Sequence, residues 1–150
     1  MPMDTGFPDA DARDDFSRAR RRQVLARLAA RLRRQPSDLD AIVSFDDVVA
    51  ALGRTGERPL GLRMIDLDTV VGSVDRVRGF DRRFRPTSAQ SRARFERIAA
   101  AERRGVAMPP IDVYRVGDAH FVRDGHHRVA VARARGRRAI EARVTEVLTR

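Results

Sequence analysis

The chain has 150 residues, the usual size of a single domain, so one hydrophobic core with some peripheral helix is expected. It contains no cysteine, which excludes disulfides, thiolate metal sites, a cysteine nucleophile and thiol redox chemistry. The formal net charge is +10, and all 31 basic residues are arginine. We ascribe part of this arginine content to GC-rich coding, while anion binding remains open because each guanidinium keeps its charge and its fork of donors.

The first part of the chain predicts a leader and a basic helix. Residues 1–12 are rich in Pro, Gly and Asp without apolar periodicity, which is typical of disorder. From Asp14 to Arg34 the pattern is that of an amphipathic helix, with its apolar stripe at Val24, Leu25, Leu28 and Leu32. No signal sequence precedes it, and no apolar run approaches the roughly 18 residues of a membrane span. A cytoplasmic location without membrane contact is therefore predicted.

A second helix completes the predicted helical extension, which covers residues 13–61. It begins at Ser44, where Ser44 and Asp47 resemble a capping box. The Gly- and Pro-containing segment Gly53–Gly61 is predicted to be a connecting loop.

Residues 62–150 predict one α/β domain, because strand-like alternation is interleaved with helical periodicity. The predicted elements are a strand over Leu62–Val71, a helix from a Ser88 cap to about Arg104, a hairpin over Ile111–Arg123, a helix from Asp124-Gly125 to Gly136 and a last strand over Ala139–Val147.

The segment Asp124-Gly125-His126-His127-Arg128 is the main candidate site. The pattern places it between a strand and the start of a helix, where unpaired backbone N–H groups and the positive end of the helix dipole favour an anion. Gly125 would let a ligand approach the backbone, and the planar fork of Arg128 would hold phosphate oxygens in bidentate fashion. His126 and His127 are candidates for hydrogen bonding or proton transfer near neutral pH.

Two interpretations of Asp124 stay open from the residues alone. Its carboxylate would either cap the helix by accepting backbone N–H groups, or bind a metal ion and orient a histidine. Adjacent histidines point in different directions on a helix, so we expect only one of His126 and His127 to face a ligand.

These residues carry a resemblance to a known superfamily. The stretch PPIDVYRVGDAHFVRDGHHRVAVARARGRRAIEARVTEV resembles the strand, hairpin, box, helix and closing strand of the ParB-like nuclease/N-terminal domain superfamily. The stretch IDLDTVVGSVDRVRGFDRRFRP is similar to short stand-alone ParB-like proteins of high-GC bacteria. The resemblance implies a ParB/sulfiredoxin-like α/β fold, with a small mixed sheet, helices and the N-terminal helical extension.

The resemblance also implies roles for single residues. Gly125 and Arg128 match the invariant Gly and Arg of the box, which binds nucleotide phosphates in ParB. His126 stands where sulfiredoxin has its catalytic Cys, so sulfiredoxin activity is not implied. The DGHHR spelling is similar to ADP-dependent free-serine kinases, which implies phosphate or catalytic roles for Asp124, His126, His127 and Arg128. Those kinases use a Glu shortly after the first strand, whereas residues 71–75 contain none.

Two weaker patterns complete the candidate residues. In this fold an arginine-rich loop should lie near the box and close over a phosphate, or else be a solvated loop; its residues are Ser73, Arg76, Arg78, Asp81, Arg82, Arg83 and Arg85. The basic helix within residues 14–34 would either bind a nucleic acid backbone or pack its apolar stripe on the domain or on a second copy, with packing favoured.

The leading hypothesis is a domain that binds a nucleotide or phosphate ligand at the DGHHR box, with a regulatory role or a link to chromosome partitioning. The expected ligand is CTP, ATP or ADP with Mg²⁺, bound by Gly125, His126, His127, Arg128, Ser73 and Arg76. One alternative is a phosphotransferase or nucleotide hydrolase in which Asp124 holds the metal and Asp124, His126 and His127 are catalytic. Another is a DNA-binding or nuclease accessory protein that uses the basic surface, and a homodimer is a further expectation.

Overall fold

The computed structural model describes residues 44–74, 80 and 84–150, together with 19, 22–23, 25–26 and 28–29. Its named elements are, in chain order, α1 (Phe45–Leu52), β1 (Arg54–Asp66), a 3₁₀ turn (Leu67–Thr69), β2 (Val70–Ser73), α2 (Ala89–Arg103), β3 (Ile111–Val116), β4 (Ala119–Asp124), α3 (His126–Ala134) and β5 (Ala139–Thr149). The predicted α/β class is confirmed.

The strands form one mixed sheet of five strands in the order β1-β5-β3-β4-β2. The pairs β1–β5 and β3–β4 are antiparallel, whereas β3–β5 and β2–β4 are parallel. The predicted hairpin is confirmed as β3 and β4, with Gly117 at φ 58° in the connection. A positive φ at this turn is accessible to glycine without steric cost.

Three predicted helices are confirmed by their caps. The hydroxyl of Ser44 accepts a hydrogen bond from the N–H of Asp47 at the start of α1, as in a capping box. Ser88 caps α2 in the same way through the N–H of Ser91. The chain leaves α3 through Gly136 at φ 70°, a left-handed conformation that commonly ends helices.

The prediction of a loop over Gly53–Gly61 is wrong. The residues after Gly53 belong to β1, which pairs with β5 along its length. The sheet therefore extends into the predicted helical extension. The register shifts between Arg54 and Gly56 and between Pro59 and Gly61. Glycine and proline are tolerated here because β1 is an edge strand and the irregular positions need no regular ladder bond.

The single strand predicted over Leu62–Val71 is also wrong. Its first half is the end of β1, and its second half follows the 3₁₀ turn into β2, which lies at the opposite edge of the sheet. Asp66 makes this break possible, since its side chain accepts a hydrogen bond from the N–H of Asp68 and caps the turn.

Hydrophobic cores lie on both faces of the sheet, because neighbouring residues of a strand point to opposite sides. On β4, Val122 belongs to the core beneath α3, with Ile111 and Val129, whereas Phe121 belongs to a second core with Phe45 of α1. Both β4 residues are fully buried. The sheet is thereby held between helices, and the start of α3 is fixed over the carboxyl end of β4.

The N-terminal helix is described only in part, and its described residues between 19 and 29 are helical. Leu28 is buried in the same core as Phe45 and Val48. Packing of the apolar stripe on the domain is thus confirmed at Leu28, while Val24, Leu32 and the leader over residues 1–12 lie outside the described residues. Among the described residues no helix is long and apolar enough to cross a membrane.

Candidate functional site

The candidate site lies where two parallel strands end. Ser73 is the last residue of β2 and Asp124 the last of β4, and the parallel pairing places Ser73 beside Val122. The start of α3 follows directly after β4. In sheets of this kind, ligand sites form at the carboxyl ends of strands, beside helix N-termini.

Ser73 and His126 are brought together, as the sequence predicts for the loop and the box. The Oγ atom of Ser73 lies 2.8 Å from Nε2 of His126, and it donates a hydrogen bond to the carbonyl of Val122 at 3.2 Å. With the hydroxyl proton directed to Val122, the Ser73 oxygen accepts from an Nε2–H of His126. Both side chains are only half-buried, so the pair lies at the surface of the sheet edge.

His127 is held differently, against an aromatic ring. Its imidazole makes an edge contact with Phe80, with the ring centroids 4.5 Å apart. Its Nε2 atom is buried and has no hydrogen-bond partner in the described part of the chain. Burial, and secondarily the charge of Arg94, lowers the pKa of His127 from its usual value, which favours the neutral ring.

Aromatic residues around the histidines were not among the predicted site residues. Phe80 and Phe84 both face His126, with Phe84 stacked on it at a centroid distance of 6.0 Å. Phe84 is buried and has a positive φ of 62°, and the guanidinium of Arg133 lies over its ring. The signal in the sequence is the presence of two phenylalanines in the charged loop that is predicted to lie near the box, where only the polar and charged residues are candidates.

Gly125, not Asp124, is the N-cap of α3, so the capping interpretation of Asp124 is wrong. Gly125 has φ 110°, and a Cβ atom at this position would lie 2.8 Å from Cβ of Ile111 and still closer to its Cγ2. Glycine is therefore required by the backbone conformation and by packing on β3. Since Gly125 has no side chain, no side-chain cap covers the first amides of α3.

Arg128 is bound by the protein itself. Its Nη1 donates to the carbonyls of Pro109 and Pro110 at 2.6 and 2.8 Å, and its Nη2 lies 3.5 Å from the carboxylate of Asp124. The side chain is only 16% exposed. These contacts tie the first turn of α3 to the segment that enters β3, so Arg128 has a structural role, and direct phosphate binding by it stays a prediction.

Asp124 is a weak candidate for a metal ligand. Its side chain is 74% exposed, and its carboxylate forms an ion pair with Arg128. Within the described residues, no group of three His, Cys, Asp or Glu side chains is placed to hold a metal ion. These residues do not form a protein-only Mg²⁺ site, and the catalytic role predicted for Asp124 has no second carboxylate to support it there.

Most of the predicted arginine-rich loop lies outside the described residues, including Arg76, Arg78, Asp81, Arg82 and Arg83. Arg85 is described and exposed. The predicted closure of this loop over a ligand therefore stays a prediction.

A second hydroxyl–imidazole pair lies away from the box. Thr69 Oγ1 is 2.7 Å from Nδ1 of His120, which is 8% exposed. Burial is the main cause that lowers the pKa of His120 to about 4, with a smaller effect of the same sign from Arg115 and an opposing one from Asp118. His120 is thus a neutral core histidine, and its position on a strand gave no sign of this partner.

A cleft of about 340 Å³ opens on the other side of Arg128, between the end of α2 and the start of β5. Its lining is mixed, and includes Met64, Glu102, Val106, Met108, Arg128, Arg137 and Ile140. The carboxylate of Glu102 is 7% exposed and pairs with Arg135 and Arg137 at 2.8 and 3.3 Å. Neither Ser73 nor either histidine of the box lines this cleft.

Comparison with solved structures finds a likeness to sulfiredoxin from Arabidopsis thaliana. The match covers 55% of this chain and 82% of that chain, with 18% sequence identity and a TM-score of 0.43. At this TM-score the likeness carries no argument about the fold, activity, substrate or ligand of this chain. No protein-family model and no curated protein matches the chain.

Proposed function

We propose that the chain is a binding domain for a phosphate-bearing ligand, of which a nucleotide is the expected form. The site consists of the first amides of α3 with the Ser73–His126 pair. The observation that carries the proposal is the position of this pair, 2.8 Å from Oγ to Nε2, beside a helix start whose N-cap has no side chain. The first amides of α3 are donors that a phosphate accepts, and the Ser73 hydroxyl beside them can turn its proton from the Val122 carbonyl to the ligand.

Two further features support this assignment. The Nε2 atom of His127 is buried and has no hydrogen-bond partner among the described residues, and such atoms in folded proteins call for a partner or a function. The neutral state favoured by its lowered pKa leaves His127 one N–H to donate and one nitrogen to accept. Arg128 acts in this proposal as a positioning residue, because its donors hold the turn against Pro109 and Pro110.

Binding, with a regulatory consequence, fits these residues better than rapid phosphoryl transfer. Phosphoryl transfer depends on metal ions and charged groups that neutralise the phosphate oxygens. Among the described residues, Asp124 is paired with Arg128, and no metal-binding group is formed. The proposed function accordingly contains no metal-dependent step.

The test is a thermal-unfolding screen of the full chain with CTP, ATP, ADP and inorganic phosphate, each with and without Mg²⁺. A ligand present at about 100 times its Kd adds about 2.7 kcal/mol of stability, which raises Tm by several degrees. Failure of every one of these ligands to raise Tm would contradict the proposal.

Two hydroxyl variants locate the site. Ser73→Ala removes the hydroxyl beside the box, and Thr69→Val removes the hydroxyl of the equivalent pair at His120. We expect Ser73→Ala to abolish most of the ligand-induced rise in Tm and Thr69→Val to leave it intact. Equal ligand responses in the two variants would place the binding site elsewhere.

A further inference from the structure

The described arginines differ in what their guanidinium groups contact. Seven of them, on the strands, on α3 and just after α3, have a carboxylate within ion-pair distance; the pairs are Arg54–Glu57, Arg58–Glu146, Arg115–Asp118, Arg128–Asp124, Arg135–Glu102, Arg137–Glu102 and Arg143–Asp112. Others outside α2 have no such pair among the described residues; they include Arg63, Arg123, Arg138 and Arg150. The arginines of α2 and the residue after it form no ion pair with the described part of the chain; they are Arg92, Arg94, Arg97, Arg103 and Arg104.

These five arginines share the outer side of α2. All of them are exposed, whereas Ser91 is buried and Phe95 and Ile98 are half-buried. Arg97 and Arg104 are separated by about two helical turns, and Arg92 and Arg103 by about three, so they form two rows along the helix. At a rise of about 1.5 Å per residue, the rows are roughly 10 and 16 Å long.

We propose that this outer face of α2 binds the phosphate backbone of a nucleic acid. A row of guanidinium groups without carboxylate partners among the described residues matches a linear polyanion, and the arginine fork suits phosphate oxygens. GC-rich coding accounts for arginine in place of lysine, but it does not account for five such arginines on one helix and its C-cap. The proposal does not depend on ligand binding at the Ser73–His126 pair.

A membrane surface is the less suitable partner for this helix. Helices that lie on membranes bury an apolar face among the lipids. The large apolar residues of α2 are used inside the molecule, since Phe95 packs against the core beneath α3. The exposed face offers Arg, Gln, Glu and Ala side chains only.

The test compares two triple variants with the same loss of charge. One is Arg92→Gln/Arg97→Gln/Arg104→Gln on α2. The other is Arg58→Gln/Arg115→Gln/Arg143→Gln, at arginines that pair with carboxylates elsewhere on the surface. Arg94 is left in place because its charge acts on His127 of the proposed phosphate site.

Binding of the full-length chain to a short DNA duplex of mixed sequence is measured by fluorescence anisotropy over a series of salt concentrations. Each lost phosphate contact lowers the slope of log K against log salt by about 0.9, so the α2 variant should lose about 2.7. Relative to equal binding at about 1 M salt, this corresponds at about 0.1 M salt to a loss of affinity of about 500-fold. The control variant should keep the slope of the unmodified chain.

Equal losses in the two triple variants would mean that only overall charge matters, and the proposal would be wrong. It would also be wrong if the α2 variant lost binding to anionic lipid vesicles or to polyglutamate while its DNA binding stayed unchanged. Circular dichroism checks that both variants fold. Should the α2 triple variant unfold, Arg97→Gln alone provides the test, with an expected slope change of about 0.9.

Discussion

The turn that opens α3 has two sides, and they differ in the partners that their residues contact. On one side, Gly125 packs against Ile111 and Arg128 donates to two proline carbonyls. On the other side, Ser73 and His126 form a half-buried pair, and Nε2 of His127 has no partner in the described chain. The first side builds the turn, while the second is the side to which the proposed function assigns the ligand.

This difference shows that residues of one motif can have either a ligand-binding or a structural role. In the sequence, Gly125 and Arg128 are the strongest candidates for ligand contact, because they match the invariant positions of the box. In the structure the same two residues meet requirements of backbone conformation and packing. Substitutions on the two sides should therefore differ, with large losses of stability on the first side and small ones on the second.

The largest effect is expected from Gly125→Ala. The left-handed conformation costs a non-glycine residue about 1–2 kcal/mol, and forcing a methyl group against Ile111 adds about 1–3 kcal/mol. We expect the free energy of unfolding, measured with urea, to fall by about 2–5 kcal/mol. As a control, Gly117→Ala also has a positive φ, of 58°, but open space around its Cβ, and it should lose only the conformational part. Equal losses at the two glycines would show that Gly125 is not closely packed.

The next largest effect is a loss of stability at acid pH. It arises at a histidine whose hydrogen-bond partner lies within the protein. The pKa of His120 is about 4 in the folded state, against the usual value of 6.5 for a histidine in an unfolded chain. The unfolded chain therefore binds the proton more strongly, and stability falls as the pH decreases from about 6.5 to about 4. The full difference corresponds to about 3 kcal/mol.

Urea unfolding across this pH range, with His120→Gln as the comparison, measures the contribution. The variant should have a flatter pH profile than the unmodified chain. It should not be completely flat, because the pKa of His127 is also lowered and acts in the same direction. An unchanged profile in His120→Gln would mean that His120 is not protonated on unfolding in this range.

Arg128→Gln should cost about 1.5–3 kcal/mol, because it removes charge-assisted hydrogen bonds to Pro109 and Pro110 from a side chain that is 16% exposed. Arg58→Gln is the matched control, since Arg58 pairs with Glu146 at the surface and is 62% exposed. An exposed pair contributes at most about 1 kcal/mol. Thermal unfolding of both variants measures the two losses of stability. Similar small losses would mean that Arg128 contributes little to the fold and is available to bind a ligand.

The elements that could be predicted from the sequence are those defined by local signals. Ser44 and Ser88 cap their helices as expected, and the hairpin and α3 follow their turn residues. The edge strand could not be predicted, because Pro59 and the glycines near it are typical of loops, and only pairing with β5 makes them a strand. Sequence spacing cannot reveal such a long-range partner.

The same distinction applies to the site. The nearness of Ser73 to the box follows from the fold that the sequence resembles, and the 2.8 Å contact with His126 agrees with it. The structural role of Arg128 could not be predicted. Its partners are backbone carbonyls nearly twenty positions away in the sequence, and no residue type indicates which carbonyls a guanidinium will contact. The bond between Thr69 and His120 is hidden for the same reason, since it joins the starts of two parallel strands whose bonded residues are 51 positions apart in the sequence.

The smallest effect on stability is expected on the ligand side, where two hydroxyl–imidazole pairs can be compared directly. Thr69→Val leaves the buried Nδ1 of His120 without its partner, and an unsatisfied buried polar atom costs about 1–3 kcal/mol. Ser73→Ala removes a hydroxyl at a half-buried position, where water can replace it, and should cost at most about 1 kcal/mol. Both values come from urea unfolding without ligand. If Ser73→Ala proves as costly as Thr69→Val, the Ser73–His126 pair belongs with Gly125 and Arg128 as part of the framework of the turn, and the amides of α3 alone remain to bind phosphate.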